Sequence, residues 1–163
     1  MISTTSQYAL RALCHLARQS GEAVLGRDLA QAVEIPANYL SKVLLTLRNA
    51  GLVDTTRGSG GGYRLRKPAD QISLIDVVEL FEEISRTKPS CFLGRTRLCS
   101  EATPCTAHST MRGLLAEYLG FLTSTPLSAI AGKPDDLWTN SSAGMPRTDR
   151  PTEEFTNIGG PKE

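Results

Sequence analysis

The chain has 163 residues, of which 40% are apolar, so it is long enough for one folded domain with an additional segment. No apolar run approaches the ~20 residues of a membrane-spanning helix, and the N-terminus lacks a signal-peptide core. We therefore expect a cytoplasmic protein with no membrane partner.

The charge is unevenly distributed along the chain. Residues 1–70 carry nine Lys/Arg against five Asp/Glu, a balance of +4, whereas residues 71–163 carry nine against twelve, a balance of −3. A basic front half is typical of a nucleic-acid-binding head, although an ordinary solvated surface has a similar balance.

The front half begins with three predicted helices. Apolar residues at helical spacing predict a first helix over Ser3–Gln19, a short second helix over Gly26–Val33 and a third over Ala37–Ala50. Cys14 lies inside the first helix, where a lone cysteine is interpreted as a small core residue rather than a ligand.

The third helix has two different faces. Its apolar stripe consists of Leu40, Val43, Leu44 and Leu47. The opposite face is polar and carries no acid, as expected for a helix that enters the major groove of DNA. We predict DNA contacts at the following positions of this helix: Asn38, Tyr39, Ser41, Lys42 and Arg48.

Two short strand patterns follow, over residues 52–57 and 63–66, joined by a glycine-rich turn. This pattern predicts a β-hairpin wing, in which Arg57, Gly58 and Ser59 contact DNA. A phosphate-cradling nucleotide loop is disfavoured, since the glycines lack a lysine-serine/threonine ending and open no helix. We therefore predict a mainly α fold with a small β-hairpin: a winged helix-turn-helix domain over residues 1–70.

Residues 71–131 form the second predicted region. A capping-box pattern at Ser73 and Asp76 begins a helix that is expected to reach Ile84. A long, broadly apolar helix over His108–Ser124 is predicted to pair with a second copy of the chain, because the polar third helix must remain free for DNA. A short helical turn is expected over Pro126–Ala131, and the polar residues 132–163 read as a disordered tail.

Between these two helices lies the cysteine loop, residues 91–108. It contains Cys91, Cys99 and Cys105 in the spacing C-x7-C-x5-C-x2-H, which ends at His108. Thiols remain reduced in the cytoplasm, so a cysteine cluster there favours metal binding or redox sensing over a static disulfide. Thiolates gathered on a loop indicate a site for a soft metal.

Together these motifs resemble the bacterial family of iron–sulfur transcription regulators that includes IscR, NsrR and RirA. The resemblance covers about residues 1–131 and rests on five segments: Ser6–Arg11, Tyr39-Leu40 with Leu47–Val53, Arg57–Leu65, Ile72–Val77 and the cysteine loop. It implies a homodimeric winged-helix regulator of promoter DNA that holds an iron–sulfur cluster through the loop cysteines, with cluster state altering DNA binding.

The resemblance also implies a ligand set. Cys91, Cys99 and Cys105 match the cluster ligands, with a seven-residue first gap as in RirA. The C-x2-H ending resembles IscR, where the histidine is the fourth ligand of a 2Fe–2S cluster. His108 is therefore the favoured fourth ligand, over solvent or Glu101. NsrR-like members use an acidic residue near position 8 for a 4Fe–4S cluster, whereas this chain has Tyr8; 2Fe–2S is favoured, and 4Fe–4S remains an alternative.

Two competing hypotheses were weighed. A zinc-stabilised or cluster-free winged-helix repressor with no sensing role would accept three cysteines and a histidine, but structural zinc sites usually pair their ligands as C-x2–4-C. An enzyme is disfavoured, since the sequence has no C-x-x-C, no paired catalytic carboxylates and no cofactor-binding fold pattern. The motifs leave open the operator, the sign of regulation and the signal, whether iron, cluster supply, nitric oxide or redox stress.

Overall fold

The computed structural model describes residues 2–56, 58, 61–84, 91–94 and 99–132. Within them the order of elements is α1 (Thr4–Arg18), α2 (Gly26–Ala32), α3 (Ala37–Asn49), β1 (Val53–Thr56), β2 (Gly62–Leu65), a 3-10 turn (Ala69–Gln71), α4 (Leu74–Val78), α5 (His108–Ser124) and α6 (Leu127–Ala131). The predicted mainly α fold with a two-stranded wing is confirmed. The predicted tail, apart from Gly132, lies outside the described residues.

The helix-turn-helix is built by α2 and α3, which pack on α1. The apolar stripe predicted for α3 is buried, with Leu40, Val43, Leu44 and Leu47 each at most 2% exposed. Helix α3 ends where Gly51 adopts a φ of +74°, a left-handed conformation that glycine accepts without strain. This packing leaves the opposite face of α3 free for another molecule.

The wing is attached to the helical core by a contact that the sequence pattern did not predict. Strands β1 and β2 are antiparallel, with Val53 opposite Leu65. The backbones of Val24 and Tyr63 also exchange two hydrogen bonds, of 2.9 and 2.8 Å. Gly62 permits this approach, because a Cβ atom there would lie 2.4 Å from the carbonyl oxygen of Val24. The base of the wing is thus tied to the segment before α2.

The helix predicted from Ser73 to Ile84 is much shorter in the structure. It begins with the predicted capping box at Ser73 but ends at Val78. The chain then turns, and both Leu80 and Phe81 pack against the main core. Neighbouring residues of a continuous helix point about 100° apart. The chain therefore leaves the helix so that both Leu80 and Phe81 reach the same core, and this burial outweighs helix propensity. The prediction that α4 reaches Ile84 was wrong.

Helices α5 and α6 are present as predicted. Leu122 of α5 packs with Leu74 and Val78 of α4 in a small second core. Leu127 of α6 is fully buried in the main core beside α1, and the Arg18 guanidinium donates a 2.6 Å hydrogen bond to the carbonyl oxygen of Ala131. Among the described residues, no helix combines the length and apolarity required to span a membrane.

Candidate metal centre and DNA-binding surface

The described part of the cysteine loop gathers its three thiols. The Sγ atoms of Cys91, Cys99 and Cys105 all lie within 4.8 Å of one another, and those of Cys91 and Cys105 are 3.8 Å apart. All three residues are partly buried and none forms a disulfide. The loop thus forms a compact set of soft donors at the N-terminal end of α5.

His108, the first residue of α5, turns its imidazole toward this group. Its Nδ1 lies 3.2 Å from Sγ of Cys99, and its Nε2 lies 3.4 Å from Oε1 of Glu101. With the proton on Nε2, which faces the Glu101 carboxylate, the lone pair of Nδ1 would face Sγ of Cys99. The structure therefore places His108 beside Cys99, whereas the donors that lie within 4.8 Å of one another are the three cysteine sulfurs.

The contacts of Glu101 favour a supporting role for this residue over that of a fourth ligand. Its carboxylate also accepts a hydrogen bond from the guanidinium of Arg112. It thus bridges His108 and Arg112, two residues four positions apart on α5. Carboxylates that orient a ligating histidine in this way tune its basicity.

Crowding opposes ionisation of the Cys99 thiol. A hydrogen bond from the Cys105 backbone lowers the pKa of the Cys99 thiol, but desolvation and the neighbouring thiols of Cys105 and Cys91 outweigh it and raise this pKa above its ordinary value. A cation at the centre would reverse the effect, because it stabilises the thiolate form. The chemistry of the donor set fits a soft metal ion or an iron–sulfur cluster.

Cys14 is separate from this centre, as the sequence analysis expected. It is 5% exposed in the core of α1, and its Sγ faces the carbonyl oxygen of Ile130 at 3.9 Å. Burial raises the pKa of its thiol to about 11, despite the opposing charge of Arg18. Such a thiol stays protonated and unreactive near neutral pH.

The candidate DNA-contact residues of α3 are all exposed, and they extend across the outward half of the helix from Tyr39 on one flank to Arg48 on the other. The exposed set is Asn38, Tyr39, Ser41, Lys42 and Arg48. Asn38 accepts a 2.9 Å hydrogen bond from the backbone amide of Tyr39, and Ser41 donates a 2.7 Å bond to the carbonyl oxygen of Ala37. These two side chains are thereby oriented at the N-terminal end of α3, the end that reaches base edges in helix-turn-helix proteins.

Tyr39 also connects α3 to α1. Its hydroxyl lies 2.6 Å from Oγ1 of Thr5, and its ring meets that of Tyr8 edge-on, with the centroids 5.5 Å apart. These contacts hold the start of α3 against α1. Tyr39 therefore positions the helix as well as presenting an exposed edge.

The wing candidates are described in part. Gly58 is exposed at the tip, with a φ of +110°. Arg57 and Ser59 lie outside the described residues, so their DNA contacts remain predictions.

Three further residues bear on the site, and the sequence motifs do not indicate them. Leu45 is 50% exposed on the polar side of α3, a position that could have been found by helical projection. Glu82 caps the start of α1, and Arg112 binds Glu101. No local pattern indicates either of these contacts, since both depend on how the chain folds back.

Comparison with known proteins places the whole folded region in one family. A family model described as "Rrf2: Iron-dependent Transcriptional regulator" matches residues 2–133. The HTH-type transcriptional regulator IscR of Photobacterium profundum is 30% identical over 170 aligned positions, which cover 97% of this chain and 96% of the relative. The HTH-type transcriptional regulator NsrR of Bacillus licheniformis is 31% identical over 137 positions, covering 83% and 95%.

A solved structure agrees with these sequence matches. CymR, described as the global cysteine regulator of B. subtilis, superposes with a TM-score of 0.66 and 28% identity, over 80% of this chain and 95% of its own. The predicted family and the winged-helix fold are thereby confirmed. This chain belongs to the Rrf2 family of iron-dependent transcriptional regulators, and it is a DNA-binding transcription regulator rather than an enzyme.

Proposed function

We propose that this regulator binds promoter DNA as a homodimer in the cytoplasm, and that an iron–sulfur cluster held by Cys91, Cys99, Cys105 and His108 controls this binding. The observation that carries the proposal is the convergence of three thiol sulfurs within 4.8 Å on the loop that leads into α5. Thiolates are the usual protein ligands of iron–sulfur clusters, and imidazole replaces them in some 2Fe–2S centres.

The donor types favour a 2Fe–2S cluster. The three thiol sulfurs lie within 4.8 Å of one another, and Nδ1 of His108 lies 3.2 Å from Sγ of Cys99. Imidazole replaces thiolate in some 2Fe–2S centres, so three thiolates and one imidazole would supply the four ligands of such a cluster.

Helix α5 supports dimerisation. Of its residues, Leu122 is buried, while Leu114 is 55% and Phe121 is 52% exposed, one above the other at an i, i+7 spacing. Pairing of this apolar face with a second copy would remove it from water and place two α3 helices for two half-sites. We assign DNA binding to residues 1–70, and ligand binding and dimerisation to residues 71–131.

A continuous set of contacts links the ligand loop to the DNA-binding helix. Helix α5 starts at His108 and packs on α4 through Leu122. The segment after α4 binds the first turn of α1 through Glu82, and α1 holds α3 through Thr5 and Tyr39. A bound cluster would tie the ligand residues of the loop together, and this tie would be lost on oxidation or loss of iron. Because His108 is both a proposed ligand and the first residue of α5, loss of the tie would release the start of α5. The contacts described above would then shift the population of α3 orientations.

The decisive test is anaerobic purification of the full chain, followed by absorption spectroscopy and iron and sulfide counts. We expect a coloured protein with two irons and two sulfides per chain, as a 2Fe–2S cluster requires. One zinc per chain without visible absorption would establish the zinc-stabilised alternative instead.

The link to DNA is tested on a duplex that the protein selects from a random-sequence pool. Affinity for this duplex should change on removal of the cluster and in Cys99→Ala. The matched control is Cys14→Ala, which removes the thiol outside the loop and should leave cluster content and its effect on binding intact. An affinity that ignores iron removal and Cys99→Ala would refute cluster control.

A further inference from the structure

We infer that Leu45 reads the methyl group of a thymine in the major groove, an apolar contact at the centre of the polar surface of α3. The inference rests on the proposed DNA binding by α3 and extends it to base specificity. It begins from an anomaly of burial: in a helix whose other leucines, Leu40, Leu44 and Leu47, are at most 1% exposed, Leu45 is 50% exposed.

The position of Leu45 follows from helix geometry. Successive residues of an α-helix are rotated by about 100°. The buried stripe of α3 therefore defines one direction, and four residues point within about 30° of the opposite direction. This outward face of α3 consists of Asn38, Lys42, Leu45 and Asn49, all of them exposed. Leu45 is the apolar member of that face.

The spacing along the helix matches that of base-reading residues. In homeodomains, the residues of the DNA-reading helix that reach the major groove recur at i, i+3, i+4 and i+7. In α3 the same series beginning at Asn38 contains Ser41, Lys42 and Leu45. The first three positions carry hydrogen-bonding groups, and the fourth is apolar.

The chemistry of the major groove indicates which base group Leu45 contacts. The major-groove edges of guanine, adenine and cytosine offer hydrogen-bonding groups, whereas thymine also presents its C5-methyl group, which apolar side chains contact. A leucine opposed to polar edges would leave those edges unpaired. A protein partner with an apolar pocket is a poorer fit, because cationic Lys42 and the amides of Asn38 and Asn49 surround Leu45 and suit a polyanion.

The experiment replaces the methyl group alone. The full-length protein first selects a duplex from a random-sequence pool, and each thymine of that duplex is then replaced in turn by deoxyuracil, which keeps base pairing and removes the C5-methyl. We expect at least one replacement to weaken wild-type binding by about fourfold, the effect of one buried methyl-sized group. Leu45→Ala should bind the thymine duplex about fourfold more weakly and lose nothing further with deoxyuracil.

Two further variants separate base reading from general effects. Leu45→Met keeps an apolar side chain and should retain the preference for thymine. Arg48→Ala, on the flank of the same helix, should weaken binding to both duplexes and leave their ratio unchanged. Thermal unfolding of Leu45→Ala should match that of the wild type, because the side chain is half exposed.

The outcomes separate a failure of the Leu45 inference from a failure of the proposed DNA binding by α3. If the wild type selects a duplex but tolerates deoxyuracil at every position, or if Leu45→Ala keeps the wild-type response to deoxyuracil, the Leu45 inference is overturned while DNA binding stands. If the wild type enriches no duplex, DNA recognition by α3 fails, and with it the role of Leu45.

Discussion

The hydroxyl of Ser6 donates a hydrogen bond to the carboxylate of Glu82 and so joins the first turn of α1 to the segment that follows α4. Ser6 is fully buried, and the same carboxylate accepts a 2.7 Å hydrogen bond from the backbone amide of Ser3. Burial raises the pKa of Glu82, but the hydrogen bonds from Ser6 and Ser3 outweigh it and hold this pKa below its usual value. A negative charge at a helix N-terminus is also favourable.

Replacement of Glu82 by glutamine is expected to destabilise the protein in a pH-dependent way. At pH 7 the loss of a charged acceptor should lower the free energy of unfolding by about 1 kcal/mol. Because the folded pKa is depressed, the contribution of Glu82 is complete above its unfolded pKa of about 4.3 and disappears as the pH falls through the lower folded value. Chemical denaturation across this range measures the difference between the two proteins.

Glu22→Gln is the control for this experiment, since Glu22 is an exposed glutamate far along the chain from the cap. Its stability should follow the wild type at every pH. If the free energy of unfolding of Glu82→Gln remained equally far below that of the wild type at acid pH, the effect could not be assigned to the ionised carboxylate.

The contact between Thr5 and Tyr39 is expected to contribute to stability and to the orientation of α3. A double-mutant cycle of Thr5→Val and Tyr39→Phe should give a coupling energy of about 0.5–1 kcal/mol, the range for a single hydrogen bond. Thr5→Val removes the partner of the hydroxyl and leaves Tyr39 itself intact, so a larger loss in DNA affinity than in stability for this variant would indicate that the contact positions α3. Additive effects on unfolding would show that the hydrogen bond contributes nothing.

Glu101 is expected to slow the loss of iron by orienting His108. Glu101→Gln removes the charge that stabilises the Nε2 proton and should speed iron release to a chelator by up to about tenfold. The matched control is Glu117→Gln, which changes an exposed glutamate on α5, the helix that begins at His108. This variant should leave the rate of iron release unchanged. Equal rates for both variants would mean that the contact of Glu101 with His108 does not support the ligand.

Charge on the apolar face of α5 is expected to separate the proposed dimer. Leu114→Glu or Phe121→Glu would bury an unpaired carboxylate at the paired helices, at a cost of several kcal/mol. Sedimentation velocity should then show monomers. Ala116→Glu places the same charge on an exposed position of α5 that points well away from Leu114 and should remain dimeric. If both Leu114→Glu and Phe121→Glu remained dimeric, the interface would lie elsewhere on the protein.

Prediction from sequence succeeded where signals are local. The stripe from Leu40 to Leu47 determined which side of α3 is buried, and the turn glycines located the wing. It failed at the end of α4, where the pattern continues to Ile84 but the chain turns after Val78. The turn brings Leu80 and Phe81 onto a core to which α1 and α6 contribute. The residues next to the turn in sequence do not indicate this contact.

For the candidate site, the sequence alone determined the donor types: three thiols and one imidazole on a loop between helices, with a polar helix and a wing before them. Their chemistry follows from residue identity and spacing, which a sequence displays directly. Tertiary structure decided how close these groups lie: the approach of the three sulfurs to within 4.8 Å of one another, the contacts of His108 with Cys99 and Glu101, and the exposure of Leu45. These features arise from contacts between distant residues, and their distances are set by packing rather than by order along the chain.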